Sequence, residues 1–309
     1  MIHPVFIGCD VSKAHLDIFD SRNCTYLRID NLASCIETWL DSLGERNVTV
    51  IFEATSPYDR RLCVILTCRG YSYCRVNPAR ARDFARACGL LAKTDAIDAR
   101  MLARMGETLR PPTSKPPDPV RHRLGQLHAR RDQLVAMRQQ ERNRLHSAEP
   151  QEGDGIERHI AWLDTEIAMI EKACLELVRA DTTLKQKMDR LRSIPGVGPV
   201  TAFTLIALMP ELGEAPQRAM AALAGLAPFN VDSGHQRGQR HIRGGRKRVR
   251  DALYMAALVA YRLKKPFACT AQAMSAKGKP FKVMIIAIAR KILTLANAML
   301  RDQTMYKPA

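Results

Sequence analysis

The sequence predicts an α/β domain followed by a mostly helical one. Between residues 5 and 105, short apolar or alternating segments that are typical of strands are interspersed with segments of helical spacing. The segment Arg110–Pro119 comes next, and its five prolines in ten residues predict a stiff linker. Beyond the linker, apolar residues recur with helical spacing as far as residue 300. A chain of 309 residues is long enough for two domains that each bury a core.

The elements before the linker predict a sheet that mixes antiparallel and parallel strand pairs. A continuous apolar run is typical of a buried strand, and strict alternation is typical of the strands of a hairpin. The expected elements are strands at 5–9, 15–19 and 25–29, a helix at 32–43, a strand at 48–52, a helix at 58–69, a strand at 72–76, and helices at 78–88 and 94–105. Thr94 is expected to cap the last of these helices.

A helical hairpin is expected directly after the linker. Its first arm begins at Val120, and the segment Glu149–Gly155 is expected to break the helix. Apolar residues of the second arm alternate spacings of four and three, which is the repeat of a coiled coil: Ile156, Ile160, Leu163, Ile167, Ile170, Cys174 and Leu177. A plain amphipathic helix within a bundle remains the alternative.

The sequence therefore divides into an α/β domain at 1–109, the linker at 110–119, the hairpin at 120–190 and a helical domain at 191–309. The formal net charge is +17, and +15 of this excess lies after residue 110. So basic a chain predicts a polyanionic partner such as nucleic acid.

Cysteine usage and hydropathy favour a cytoplasmic protein. None of the nine cysteines forms a C-x-x-C pair, which argues against a zinc site and favours reduced residues in the core. Residues 1–10 do not resemble a signal peptide because Asp10 interrupts a short apolar run. The apolar stretches Thr201–Met209 and Val283–Ala289 are too short to cross a bilayer, so no membrane attachment is expected.

Four acidic residues lie where the expected elements would bring them together. Asp10 ends the first strand and Glu53 ends the fourth, and these two strands can pair side by side in a βββαβ unit. Asp95 and Asp98 are three residues apart, so they project from one face of a helix. Converging carboxylates repel unless divalent cations neutralise them, and oxygen-only ligands select Mg²⁺ or Mn²⁺. Solvated strand ends and ordinary helix capping remain the alternative for each acid taken singly.

A second candidate site is the basic, glycine-rich stretch that follows Ser233. The residues expected to contact nucleic acid there are Arg237, Arg240, Arg243, Arg246, Lys247 and Arg248. Guanidinium groups can hold a phosphodiester and favour an attacking alkoxide, which makes Ser233 a candidate nucleophile that becomes linked to DNA. The alternative is a loop that only grips phosphates, with Ser233 a turn residue beside Gly234.

The segment Leu191–Ala202 is similar to a helix-hairpin-helix turn. Gly196 and Gly198 permit a tight turn, and the helix that follows can present its N–H groups to a phosphate. An ordinary connection between two helices is the alternative.

Taken together, these residues resemble the DEDD transposases of the insertion-sequence one-ten family, also called bridge-RNA-guided recombinases. The blocks that carry the resemblance occur in order along nearly the whole chain and are jointly specific. They are Gly8–Asp17, Phe52–Tyr58, Lys93–Arg100, Ile194–Pro199, Leu223–Pro228 and Ser233–Gly234 with the Gly/Arg run that follows.

The resemblance implies a RuvC-like RNase H fold, a coiled-coil insert and a helical transposase domain. It implies that Asp10, Glu53, Asp95 and Asp98 coordinate Mg²⁺, and that Ser233 forms a phosphoserine link to DNA. The partners that it implies are donor and target DNA, a structured noncoding guide RNA, and further copies of the chain in a dimer or tetramer that completes a composite active centre. It places the protein in the cytoplasm, associated with the nucleoid.

Two other functions are compatible with the residues alone. One is a structure-selective nuclease of the RuvC type, in which the acids activate water and the basic stretch only binds DNA. The other is a nucleic-acid-binding protein without catalysis. A covalent protein–DNA adduct that depends on Ser233 would distinguish the serine transposase from both of these functions.

Overall fold

The computed structural model describes residues 5–44, 47–54, 57–90, 94–116, 118–230, 232–233, 236–238, 240–263 and 267–307, with the backbone alone described at 150, 232, 233, 236 and 237. The chain divides into two compact units, Met1–Asp118 and Pro119–Ala309. The finer division of residues 119–309 into a hairpin and a separate transposase domain stays a prediction.

The first unit is built on a five-stranded mixed sheet, as the order of elements predicts. Its strands are β1 (Val5–Val11), β2 (His15–Asp20), β3 (Thr25–Asp30), β4 (Val48–Glu53) and β5 (Ser72–Val76), in the order β3-β2-β1-β4-β5. The pairs β1–β2 and β2–β3 are antiparallel, and the pairs β1–β4 and β4–β5 are parallel. The predicted mixed α/β class is confirmed, and the sheet is consistent with an RNase H-like domain.

Helices cover both faces of this sheet, which explains why β1 and β4 are mostly apolar before the acids near their ends. The helices are α1 (Ala33–Leu43), α2 (Arg60–Cys68) after a 3-10 turn at Pro57–Asp59, α3 (Pro78–Ala87) and α4 (Asp95–Leu109). One core joins α1 and α2 to alternate strand residues such as Ile7 and Val50. The other core joins α3 and α4 to the strand residues that point to the opposite face of the sheet, such as Phe6 and Ile51.

Gly8 lets helix α4 lie directly against β1. A Cβ at Gly8 would stand 1.9 Å from the carbonyl oxygen of Ala99 and 2.6 Å from the backbone nitrogen of Ala103. Both neighbours are backbone atoms of α4, so no side chain can move aside to make room. The glycine therefore determines how closely α4 approaches β1.

We expect Gly8→Ala to destabilise the protein by about 3 kcal/mol, because an overpacked core must shift its backbone. The matched control is Gly125→Ala, where a Cβ would meet nothing within 4 Å in the middle of a helix. That change should raise stability by about 0.5–1 kcal/mol. Urea unfolding of both variants checks the pair, and equal stability of the two would contradict the close approach.

The second unit is mostly helical. Its helices are α5 (Pro119–Leu145), α6 (Pro150–Ala180), α7 (Thr182–Ser193), α8 (Pro199–Leu208), α9 (Gln217–Leu223), α10 (Lys247–Arg262), α11 (Ala268–Ala276) and α12 (Phe281–Arg301). Two short antiparallel pairs lie between α9 and α10: β6 (Pro228–Phe229) with β9 (His241–Ile242), and β7 (Asp232–Ser233) with β8 (Gln236–Arg237).

The predicted helix break at Glu149–Gly155 is wrong. Helix α6 begins at Pro150, a residue well suited to the first position of a helix because it needs no donor there. The connection between the two arms is only residues 146–149. Helices α5 and α6 run antiparallel around a small core that contains Leu134, Leu163 and Ile167. Whether they supercoil as a coiled coil stays a prediction.

Helix α12 extends well beyond the apolar stretch Val283–Ala289 that it contains. Its 21 residues are sufficient by length and composition to cross a membrane. However, the helix packs against α10, and residues such as Ile285, Ile288 and Ile292 are fully buried in the core of the second unit. It is therefore a core helix of this unit, and its apolar character does not indicate a membrane protein.

Candidate active site

Asp10 and Glu53 lie at the same edge of the first unit's sheet. Strands β1 and β4 are parallel neighbours, and Cys9 is paired with Phe52 one residue before each acid. Both carboxylates are half-buried at the ends of these two strands. The carboxyl ends of adjacent parallel strands thus present two acids together, as the sequence predicts.

Asp95 and Asp98 lie in the first turn of α4, which packs against β1. The Thr94 hydroxyl caps the helix by accepting a hydrogen bond from the Ile97 N–H at 3.3 Å, as predicted. Asp95 is exposed and Asp98 is half-buried. Both acids lie at the positive end of the helix dipole.

The electrostatics of Asp10 show how crowded this edge is. Burial, followed by the charges of Asp98, Asp95 and Asp17, raises the pKa of Asp10 to about 6. Among the described residues, however, no three acidic, histidine or cysteine side chains are gathered closely enough to hold a metal ion as they stand. The structure thus brings three of the predicted acids within electrostatic range, and places Glu53 beside them by strand register.

Two further residues of this site, Asp17 and Arg28, were not predicted from the sequence. Asp17 of β2 is paired with Asp10 of β1, and on its other side it is paired with Arg28 of β3. Asp17 is almost completely buried, and it accepts hydrogen bonds from the Tyr26 hydroxyl and from Nε of Arg28, the latter at 2.8 Å. The other arm of Arg28 donates to Asp95 at 2.7 Å. Arg28 therefore connects a buried carboxylate to one of the four predicted site acids.

The register of the hairpin was the signal that would have found these residues. Asp10, Asp17 and Arg28 occupy one row across three adjacent strands. Since cross-strand partners lie about 5 Å apart, an acid opposite Asp10 requires a counter-charge of its own. Arg28 supplies this counter-charge, so the Asp17 carboxylate is paired within the sheet and is not a candidate ligand of the metal.

The chemistry of the donors fits a divalent cation. All four predicted ligands are carboxylates, which suit hard cations that prefer oxygen. Burial is the largest cause of the raised pKa of Asp10, and a bound cation would relieve the repulsion that Asp98, Asp95 and Asp17 add to it. The Arg28 guanidinium is paired with Asp17 and with Asp95.

Stability without divalent cations should fall as the pH rises from about 4 to about 6. The folded protein holds the proton of Asp10 more tightly than the unfolded chain, whose aspartate pKa is about 3.9. Ionisation of Asp10 in that interval therefore favours unfolding. Urea unfolding in EDTA, compared between the unmodified chain and Asp10→Asn, isolates this contribution. Parallel pH profiles for the two proteins would contradict it.

Ser233 lies at the end of a two-residue strand in the second unit. The backbones of Asp232 and Ser233 pair antiparallel with those of Arg237 and Gln236. The side chains of Ser233 and Arg237 lie outside the described residues, as does Gly234. The structure thus places the candidate nucleophile in a β-hairpin and leaves its side-chain chemistry a prediction.

Some of the residues predicted to contact nucleic acid already form contacts within the protein, and others are exposed. Arg240 is exposed, and the Arg243 guanidinium stacks over the Phe229 ring at 5.2 Å from its centroid. Lys247 is exposed and pairs with Asp251 of the next helical turn at 2.6 Å.

By contrast, two arginines of the stretch make specific ion pairs inside the second unit. Arg246 forms a bidentate pair with Glu211 at 2.6 and 2.7 Å, and Arg248 binds Asp132 of α5 at 2.7 and 2.8 Å. Bidentate pairs of this kind orient the backbone that carries them. Arg246 and Arg248 therefore anchor the start of α10, whatever else they contact.

Gly196 and Gly198 both lie in the turn between α7 and α8. Gly196 has a φ of +91°, and a Cβ there would stand 2.4 Å from the carbonyl oxygen of Ala256 on α10. A glycine is required at position 196 because the backbone of α10 lies too close for a side chain. Gly198 precedes the first turn of α8, and a Cβ there would meet nothing within 4 Å. The open space makes Gly198 the better placed of the two for a phosphate.

Comparison with known proteins gives two matching family models. The model described as "Transposase IS116/IS110/IS902 family" matches residues 188–271. A model for DEDD transposases of IS110, described as "Transposase", matches residues 7–148. The two matches together take in the carboxylate edge of the first unit and the basic stretch of the second.

Curated relatives agree with these matches. A "Pilin gene-inverting protein" of Moraxella lacunata is 29% identical over 320 residues, which cover 97% of each chain. The "Insertion element IS110 uncharacterized 43.6 kDa protein" of Streptomyces coelicolor is 31% identical over 38% of this chain and 29% of its own length. A "Probable family 20 transposase" of Pseudomonas aeruginosa is 26% identical over 50% of this chain and 46% of its own length.

Proposed function

Because the chain belongs to the IS110 family of transposases and is a DNA-recombining enzyme, we propose that it cuts and rejoins DNA through a phosphoserine intermediate at Ser233 with the help of a divalent cation. The observation that carries the metal half of this proposal is geometric: Asp10 and Glu53 lie at the ends of neighbouring parallel strands, and Asp95 and Asp98 begin the helix that packs against β1. Charge of one sign is concentrated in this way at sites that bind cations.

The residues that would hold the cation are Asp10, Glu53, Asp95 and Asp98. Mg²⁺, or Mn²⁺ in its place, would stabilise negative charge on the oxygens of a phosphodiester. The chain's own contribution is positional. Strands β1 and β4 present two of the carboxylates, and α4, held against Gly8, presents the other two.

The serine half of the proposal is a pair of transesterifications. The Ser233 oxygen attacks phosphorus as its proton is removed, one P–O bond of the DNA breaks, and the departing sugar oxygen takes up a proton. A sugar hydroxyl of another strand then attacks the phosphoserine and releases the serine, so the bond energy is conserved. Exposed cations near the hairpin, such as Arg240, would stabilise the charged transition state.

The proposal extends to two partners. A structured noncoding guide RNA would select the DNA, and further copies of the chain would complete a dimer or tetramer. The net charge of +15 in residues 111–309 supports the binding of an RNA, because it exceeds what a single phosphodiester requires. Purifying the protein with its nucleic acid and sequencing the RNA tests this. Recovery of unrelated cellular RNA alone would contradict it.

The covalent intermediate is tested with end-labelled DNA on a denaturing gel. We expect a labelled protein band that forms with Mg²⁺ and disappears after protease treatment. The competing function is hydrolysis by the carboxylate site, as in structure-selective nucleases. Metal-dependent cuts with free ends and no protein band would favour hydrolysis.

A further inference from the structure

A pocket opens at the sheet edge that carries Asp10 and Glu53. It has a volume of about 650 Å³ and lies between the β1–β2 turn and the start of α2. Lys13 follows β1, and Pro57 begins the turn after β4, so two of its segments follow the strands that present the first two carboxylates; a third segment, at Asn31 and Ala33, follows β3. A molecule held in this pocket is therefore at the edge of the sheet where the proposed metal site lies.

Asn31 forms the floor of this pocket. It is 3% exposed, and its Nδ2 donates to the carbonyl oxygens of Ser12 at 2.9 Å and of Tyr58 at 3.2 Å. Its backbone N–H donates to the Ala14 carbonyl at 2.8 Å. Asn31 thus joins the β1–β2 turn to the segment before α2. Its side-chain oxygen, Oδ1, is buried and has no hydrogen-bond partner among the described residues.

A buried acceptor without a donor is rare in folded proteins and calls for an explanation. The other hydrogen-bonding groups of Asn31 are satisfied, so the residue is firmly held and only Oδ1 is left. Asn31 is one of the residues that line the pocket, and a ligand that reached Oδ1 from there with an N–H or O–H donor would complete its hydrogen bonding.

The rim of the pocket is positively charged. Lys13, Arg60 and Arg61 line it, and no acid does so among the described residues. Lys13 and Arg60 are exposed and have no ion-pair partner within the described part of the chain, while Arg61 donates to the Asn31 carbonyl. The Tyr58 side chain is 42% exposed on the same rim. Cations beside an exposed aromatic ring are typical of sites for single-stranded nucleic acid.

From this combination we propose that the pocket binds an unpaired segment of a nucleic-acid strand. Phosphates contact Lys13 and Arg60, a base stacks on Tyr58, and Oδ1 of Asn31 accepts a hydrogen bond from a base amino group or a ribose hydroxyl. The positioning of that strand toward the carboxylates rests on the proposed function. The binding itself does not require cleavage or metal.

The test is photocrosslinking of the full-length protein to single strands that carry 5-iodouracil, in EDTA. DNA and RNA strands of one sequence are used, and the crosslinked peptides are identified by mass spectrometry. We expect crosslinks at the peptide that contains Tyr58. A crosslink from DNA as well as RNA assigns the donor to a base, and one from RNA alone assigns it to the ribose hydroxyl.

The variant Lys13→Gln/Arg60→Gln should lower this crosslink by roughly fivefold or more, since it removes two phosphate contacts. The control Arg80→Gln/Arg82→Gln removes the same charge from the exposed surface of α3 and should leave the crosslink unchanged. Absence of a Tyr58 crosslink from both strands, or equal yields in the two variants, would overturn the proposal. If the unmodified protein gives the Tyr58 crosslink but neither binds Mn²⁺ nor forms the serine adduct, that result would count against the proposed function alone.

Discussion

Ser233→Ala is expected to abolish the covalent protein–DNA adduct and to lower recombination at least roughly 1000-fold, because no other atom replaces the nucleophile. The backbone of Ser233 pairs with that of Gln236, and alanine can form the same pair, so the hairpin should persist. DNA binding should also remain, since it depends on cations elsewhere in the second unit. The adduct is measured on a denaturing gel, and DNA binding by filter retention.

A matched control is Ser275→Ala, which removes an exposed hydroxyl from α11 in the same unit. It should leave both adduct and recombination unchanged. If Ser233→Ala still forms the adduct, the nucleophile lies elsewhere. If it still cuts DNA but leaves free ends with unchanged rate, the carboxylates act by hydrolysis and the serine is a turn residue.

Asp10→Asn should lower recombination by roughly 1000-fold while DNA binding is kept. The charge stabilisation that a metal provides is worth several kcal/mol, and each 1.36 kcal/mol changes a rate tenfold. Asparagine has nearly the same shape as aspartate, so β1 and its pairing should be preserved. Removal of a charge that Asp98 and Asp95 repel should also raise the melting temperature in EDTA.

Mn²⁺ titration followed by electron paramagnetic resonance measures the metal directly in this variant. Binding should weaken by at least roughly tenfold, because one oxygen ligand has lost its charge. Asp83→Asn, at an exposed acid of α3, is the control for net charge and should bind Mn²⁺ as the unmodified chain does. Unchanged Mn²⁺ binding by Asp10→Asn would remove Asp10 from the metal site.

The elements of the first unit could be predicted closely because apolar periodicity and turn residues agree there. Strand β5 begins and ends where expected, and the Thr94 cap is present. The break before α6 lies at residues 146–149 because Pro150 can start a helix and the glycines at 153 and 155 are tolerated within it. Where two local signals disagree, packing against α5 decides the outcome.

The ion pairs of the basic stretch could not be predicted. Arg246 and Arg248 were interpreted only as nucleic-acid contacts, but their partners are Glu211 and Asp132, which are 35 and 116 residues away along the chain. Nothing in a local pattern identifies an acid so distant. The contacts that remain for DNA are therefore fewer than the count of arginines suggests.

By itself the sequence determined the α/β class of the first unit, the helical class of the second, and the family to which the chain belongs. It also determined which elements carry the four acids, because strand ends and helix starts follow from local periodicity. Only the tertiary structure decided what surrounds those acids. Strand register placed Asp17 opposite Asp10 and Arg28 opposite Asp17, and the space at Gly8 brought α4 against β1. Register and close packing join residues that are far apart in the chain, so no local pattern specifies them.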